Sequence, residues 1–344
     1  LKPSWLLSRP VASSSSLNLP VGLPSPPLSM TVGAHCTASM FRASLVAALL
    51  PCATRVHALS MLQGAAVPPQ PGGGTAASLA AAGHGGEDVD CLVVVRTHRP
   101  MPGMLERFRE HTEDLRRHLP SARLVISVDT SGPDGPAVLE EVRRHAPGAI
   151  LHSYGWGDVV ARYPALAALE FASAWSFHTE PLLLAVEHAG RVLGLAGGAR
   201  VWALEDDVFF CGGLSAFVSA YEADPSDLLG IGDTPTGHWL HRQAGSAAFL
   251  RRYPAEVRLA GPEVVQRFSA RLLEQLGRQA EEGVTAWSEM FAATACRAGG
   301  FLCAGLRDEH VGVHGDKVTL DRQQAEAACR ERLGVPSANH AAKF

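Results

Sequence analysis

Residues 200–210 read Arg200-Val201-Trp202-Ala203-Leu204-Glu205-Asp206-Asp207-Val208-Phe209-Phe210. A short apolar run, Val201 to Leu204, ends in three consecutive acids, and apolar residues resume at once. A run of that length between polar residues predicts a buried strand of an α/β sheet. Ligands of open α/β sheets collect at the carboxyl ends of the strands, which places the acids at the mouth of a crevice. Three crowded carboxylates repel one another, and a hard divalent cation with oxygen ligands relieves the repulsion. Such a cation can bridge nucleotide phosphates and neutralise a departing diphosphate. The competing reading is a solvated acidic junction, and the apolar flanks on both sides weigh against it.

Outward from this strand the chain alternates strands and helices. Asp90 to Arg96 and Ala122 to Val128 read as buried strands, the second closed by Asp129 and a Ser-Gly-Pro-Asp-Gly turn. Between them, Pro102 to Leu119 is an amphipathic helix with Met104, Leu105, Phe108, Leu115 and Leu119 on one side. A helix from Pro136 to His145, a strand from Ala149 to His152 and a helix capped by Thr179 and running to Leu193 lead into the acidic strand. Beyond the acids, Leu214 to Tyr221 reads as a helix and Asp227 to Gly232 as a strand. Helices over Pro262 to Ala280 and Val284 to Ala298 and short strands around Phe301 to Leu306 complete the domain. The rhythm predicts an α/β fold with a mostly parallel sheet covered by helices on both faces.

The first part of the chain has a different composition. Residues 1–30 are rich in Ser, Pro and Leu, and residues 64–86 are almost wholly Gly, Ala and Pro. Neither stretch buries enough apolar surface to offset its ordering entropy, so residues 1–86 read as a disordered leader. Within it, residues 40–58 run Met-Phe-Arg, an apolar core from Ala43 to Ala53, then Val56-His57-Ala58, the layout of a secretory signal. That predicts the secretory pathway, with an organelle transit peptide as the alternative. Residues 87–325 are then the folded domain and 326–344 a C-terminal tail. No apolar stretch reaches the length of a membrane span. A net charge of −4 leaves no basic footprint for nucleic acid. Outside the leader five cysteines remain, an odd number that implies no complete disulfide framework. Cys296 and Cys303 are close enough to pair if a helix, turn and strand bring them together; otherwise buried free thiols are the default.

Strand, Glu-Asp-Asp, apolar continuation and following helix resemble the metal-binding region of GT-A glycosyltransferases. The likeness is greatest to the inverting N-acetylglucosaminyltransferases that act on mannosyl glycans; it is specific at 201–214 and thin over about 90–315. The resemblance implies a GT-A-like domain that moves a hexosyl or N-acetylhexosaminyl group from a UDP-sugar to a hydroxyl of a glycan or glycoprotein in the Golgi lumen. It implies Asp207 as the direct ligand of Mn²⁺ or Mg²⁺, with Glu205 and Asp206 on the ribose or a metal-bound water. It also implies nucleotide contacts from Arg96 and Thr97 after the first strand and from Asp129 after the second. An Asp can accept from a uracil N–H and an Arg can hold phosphates, although Asp-Thr-Ser-Gly is equally a turn-capping sequence.

An inverting transfer needs a carboxylate that takes the acceptor's proton. The resembling family keeps it in a Trp-Asp-Asp-Trp segment, where this chain has Trp287-Ser288-Glu289-Met290-Phe291. Glu289 is the candidate base, with Asp233 its competitor and an ordinary helix with a solvated Glu the plain alternative. The wider fold implies His314 as a further metal ligand and Lys317 on the diphosphate; His310 is a second candidate, and a surface turn is the alternative. A retaining transferase, a catalytically silent nucleotide-sugar-binding protein and a Mg²⁺-dependent phosphohydrolase are the rival functions.

Overall fold

In the computed structural model, β1 (Cys91–Thr97) is the buried axis of the sheet. Leu92 and Val94 face one core and Val93 and Val95 the other, with every one of these side chains almost wholly buried. The period-2 alternation of a strand sends successive side chains to opposite faces, so a continuous Leu-Val-Val-Val run requires cover on both. The structure describes residues 89–169, 173–174, 176–195, 198–230, 234–235, 245–312, 321–331 and 335–339. The leader and its signal-like segment lie outside them.

From β1 the chain passes through α1 (Pro102–His118), β2 (Ala122–Asp129), α2 (Gly135–His145), β3 (Ile150–Tyr154), α3 (Trp156–Arg162) and α4 (Thr179–Leu193). It continues through β4 (Arg200–Glu205), β5 (Phe209–Cys211), α5 (Leu214–Ser219), β6 (Leu228–Gly230) and β7 (Thr234–Pro235). Next come α6 (Ala247–Arg252), β8 (Leu259–Ala260), β9 (Val265–Phe268), α7 (Ala270–Glu281), α8 (Ser288–Ala298) and β10 (Cys303–Gly305). The described chain ends in α9 (Arg322–Glu331) and β11 (Ser337–Asn339).

The main sheet has seven strands in the order β10-β6-β9-β4-β1-β2-β3. β9 runs antiparallel to both its neighbours, β4 and β6, and the remaining pairs are parallel. The mostly parallel, doubly covered sheet predicted from the α/β rhythm is therefore the observed one. One core joins a face of this sheet to α4, α7 and α8 through Leu182, Ala185, Leu272, Leu276 and Phe291. The other joins the opposite face to α1, α2 and α5 through Phe108, Leu115, Val142 and Phe217.

The sequence reading of one helix over Pro262 to Ala280 is corrected. Val265–Phe268 is a strand, and the helix begins only at Ala270, where the Ser269 hydroxyl accepts from Leu272 N at 3.2 Å. The pairing edges of β4 and β6 need a partner, and Val264-Val265 supplies the β-branched residues that suit one. Arg267, 1 % exposed, keeps its charge in the core by donating to the carbonyls of Tyr221 (2.7 Å), Ser226 (2.7 Å) and Asp224 (3.1 Å). Nearest-neighbour patterns along the chain carry no trace of those distant acceptors.

Two further boundaries move. The helix expected from Val284 starts at Ser288, and Thr179 is the first helical residue of α4 with His178 at the cap position. Gly194 ends α4 in the left-handed region (φ +66), where a residue without Cβ is unstrained.

Cys296 and Cys303 form a disulfide from α8 to β10, as their spacing allowed. A second disulfide joins Cys211 to Cys329 across 118 residues, and among the described residues Cys91 is left as a buried thiol. The default of buried free thiols is thus overturned for four of the five. The stretch after residue 326, expected as a tail, holds the end of α9 and the buried strand β11, which pairs antiparallel with β5. No helix among the described residues is long and apolar enough to cross a membrane.

Candidate functional site

Parallel strands β1 and β4 end side by side, with Arg96 paired to Glu205 in register. Glu205 closes β4, and Asp206 and Asp207 form the turn beyond it. Glu205 N donates to Val264 O at 3.0 Å, so the start of antiparallel β9 is fastened to the same end of the sheet. Three chain segments from distant parts of the sequence therefore converge at one edge.

The three acids have different surroundings. Asp207 is 8 % exposed. The Thr97 hydroxyl donates to Asp206 Oδ2 at 2.5 Å, and Arg107 of α1 donates to the Asp206 carbonyl at 3.2 Å. Burial, with Asp207 adding to it, pushes the Asp206 carboxyl up to about 6 against the opposing pull of the Thr97 hydrogen bond. Glu205 instead turns to Arg96, whose guanidinium lies 3.6 Å away.

Sequence reasoning missed two members of the site. Glu263 and His178 join Arg96 and Glu205 in one cluster. Arg96 donates to the Glu263 carbonyl at 3.0 Å and lies 3.7 Å from its carboxylate, whose other oxygen is 2.8 Å from His178 Nδ1. Ligand atoms of His178, Glu205 and Glu263 fall within 4.8 Å of one another. A guanidinium already stands against both carboxylates, so the trio is compensated by Arg96. Asp207, a nearly buried carboxylate just past the end of β4, offers hard oxygen donors of the kind a divalent cation takes. Glu263 was hidden by the helix expected over its segment; the acid just before an apolar run was its only signal. His178 was visible only as the residue before a helix start.

Behind this cluster lies Glu180, fully buried in the first turn of α4, where the Thr285 hydroxyl donates to it. Burial pushes its carboxyl up to about 7, and the Glu263 charge adds to the rise.

Glu289 stands in the first turn of α8, half-buried, and its carbonyl accepts from Gly261 N at 2.9 Å. Gly261 is two residues from Glu263, so the start of α8 is tied to the same edge. Ser288 strengthens the tie, since its hydroxyl accepts from His178 N and its own N–H donates to Ser176 O at 3.2 Å. Asp129 adopts the turn-capping role: its Oδ1 accepts from Ser131 N (2.9 Å) and Oγ (2.5 Å), and Ser131 Oγ in turn accepts from Trp156 N at 2.7 Å. That leaves Asp129 at the end of β2, two strands from β4. His310 is not at the site; its Nδ1 pairs with Tyr221 Oη at 3.0 Å inside an aromatic cluster. Asp233, His314 and Lys317 lie outside the described residues.

Fold and site together define an α/β protein with a cluster of acids and Arg96 at the carboxyl ends of its parallel strands β1 and β4. No protein-family model matches the chain, and no curated protein matches it by sequence. Many solved structures resemble it, and three of them show how slight the likeness is. A Pyrobaculum calidifontis mannosyltransferase, PcManGT, solved with GDP-Man and Mn²⁺, is 14% identical with a TM-score of 0.34 over 64% of this chain. Mouse xyloside xylosyltransferase 1 is 10% identical with a TM-score of 0.38 over 66% of this chain and 89% of its own. The bifunctional glycosyltransferase WbbM is 13% identical with a TM-score of 0.38 over 75% of this chain. The match spans 55% of the mannosyltransferase and 46% of WbbM.

Proposed function

We propose that this chain is a metal-dependent glycosyltransferase of the GT-A type, moving a sugar from a UDP-sugar to an acceptor hydroxyl with inversion. The observation that carries the reading is the convergence of Glu205-Asp206-Asp207, Arg96 and Thr97 at one sheet edge, with Glu289 tied to that edge through Gly261. The site thus offers carboxylates for a cation, a guanidinium for phosphate and a separate carboxylate for a proton.

Each residue has a distinct task. Asp207 would hold Mn²⁺ or Mg²⁺, which when bound neutralises charge on the leaving diphosphate. Thr97 and Arg107 fix the turn that carries Asp206 and Asp207, so the acids need no reorganisation when the donor arrives. Arg96 gives the phosphates or base a charged contact on leaving its carboxylate partners. Glu289 removes the proton of the attacking hydroxyl from the acceptor side. Asp129, tied into its turn, keeps its second oxygen for the uracil N–H. We assign the protein to the secretory lumen; its two disulfides support this, since such bonds persist in oxidising compartments.

The test is a screen of UDP- and GDP-sugars for Mn²⁺-dependent hydrolysis and for transfer to glycan acceptors. Metal-dependent release of UDP from one of them is the expected result. Nucleotide-sugar binding without any turnover favours a silent binding protein, and cleavage of simple phosphate esters favours a phosphohydrolase.

A further inference from the structure

A cavity of about 230 Å³ lies between α8 and strands β6, β9 and β10. It is lined by Gly230, Gly261, Gln266, Ala293, Arg297 and Gly305, among others. Its size is below the roughly 300–1,000 Å³ of pockets for drug-sized ligands, so it holds one ring and not several. Three glycines in the lining bring bare backbone to its surface.

Gln266 is the unexplained residue. It sits in β9 opposite Ala203 of β4 and is only 6 % exposed. Its amide makes no hydrogen bond to any described residue. Gln266 lines the cavity, where its amide is open to a ligand. Its β9 neighbour Arg267 instead donates through its terminal nitrogens to three carbonyls. Gln266 supplies one acceptor and two donors to whatever fills the cavity.

Position along α8 connects the cavity to the proposed base. Ala293 and Arg297 follow Glu289 at i+4 and i+8 and so lie on the same stripe of the helix, with about 6 Å of axial rise per step. Gly261, also in the lining, holds the Glu289 carbonyl.

We propose that this cavity is the subsite for one neutral sugar ring of the acceptor, anchored by the Gln266 amide, with the reacting hydroxyl directed along α8 toward Glu289. The assignment rests on the glycosyltransferase reading above and names its acceptor chemistry. A hydroxylated ring matches an amide that both donates and accepts, and no acid in the lining favours a cationic ligand.

The test uses the full chain and the methyl glycosides of glucose, galactose, mannose and N-acetylglucosamine. Affinities are read by titration, and the Gln266 side-chain amide is followed by ¹⁵N NMR, with Gln266→Met assigning the resonance. At least one glycoside should bind and move that resonance in the unmutated protein. Its Kd should rise at least threefold in Gln266→Met and in Ala293→Leu, which fills the cavity. The proposal is overturned if no glycoside binds, if the Gln266 resonance stays still on binding, or if either folded variant keeps its affinity within threefold. Uridine moving the Gln266 resonance in place of the glycosides overturns it as well. Nucleotide-sugar binding is measured separately: glycoside binding without it sinks the transferase reading alone, and transfer without Gln266-dependent glycoside binding sinks this subsite alone.

Discussion

His178 Nδ1 lies 2.8 Å from Glu263 Oε1, and through this contact the start of α4 is joined to the start of β9. The second Glu263 oxygen faces Arg96 at 3.7 Å. One buried acid therefore holds two basic side chains at the edge where Glu205, Asp206 and Asp207 leave β4. The arrangement fixes these side chains before any ligand arrives, and that lowers the entropy cost of binding.

Asp207→Ala is expected to abolish Mn²⁺-dependent binding of UDP while the fold is kept. Asp207 is a turn residue outside both sheet-face cores, so its carboxylate can be removed without touching them. Calorimetry of UDP with and without Mn²⁺, beside a circular dichroism spectrum, checks this. Unchanged metal-dependent affinity removes Asp207 from the donor site.

Glu289→Gln keeps the shape and hydrogen-bonding capacity of the side chain but cannot take a proton. Transfer should fall by roughly 10²–10⁴-fold, the usual worth of a positioned general base, with UDP affinity near that of the unmutated protein. Asp233→Asn is the comparison, since it tests the competing carboxylate. Full transfer in Glu289→Gln together with loss in Asp233→Asn would move the base to Asp233.

Glu180 should make stability depend on pH. Its carboxyl is raised from 4.5 to about 7 by burial, so between those values the folded state holds the proton that the unfolded state has lost. Stability should then fall as pH rises from about 4.5 through about 7, and level off above. The change is on the order of a few kcal/mol. Glu180→Gln, which carries no charge at any pH, should flatten that part of the profile. Urea denaturation at a series of pH values measures it, and an identical slope in the variant would refute the assignment.

The two disulfides should contribute unequally. Loop-closure entropy gives about 5 kcal/mol for Cys211–Cys329, which spans 118 residues, and about 2 kcal/mol for Cys296–Cys303, which spans 7. Paired Cys→Ser substitutions, compared by denaturation midpoint, should rank in that order. The long bridge should also be needed to keep β11 on β5, which hydrogen exchange at Ser337–Asn339 reads directly.

The acidic strand, the alternation of β1 and the amphipathic stripe of α1 were legible because each is a local pattern. A buried strand must be apolar throughout and a half-covered helix must carry its apolar residues at helical spacing. The same holds for the three acids, which follow the end of β4; Arg96 and Thr97 were named through the family resemblance and stand at the end of β1. Glu289 was named by likeness to a motif, and it stands in the first turn of α8.

Sequence alone therefore determined the α/β class and the strand that carries the acids. Tertiary structure decided the rest. Val265–Phe268 became a strand because β4 and β6 offered free backbone edges, and the Arg267 charge is carried by carbonyls more than forty residues away. Glu263, His178 and Arg96 became one cluster because β9 runs against its neighbours and brings its first residues to the end where β1 and β4 finish. Contacts between residues 178 and 263, or between Cys211 and Cys329, leave no periodic mark on the chain; they exist only once the sheet order β9-β4-β1 has been set.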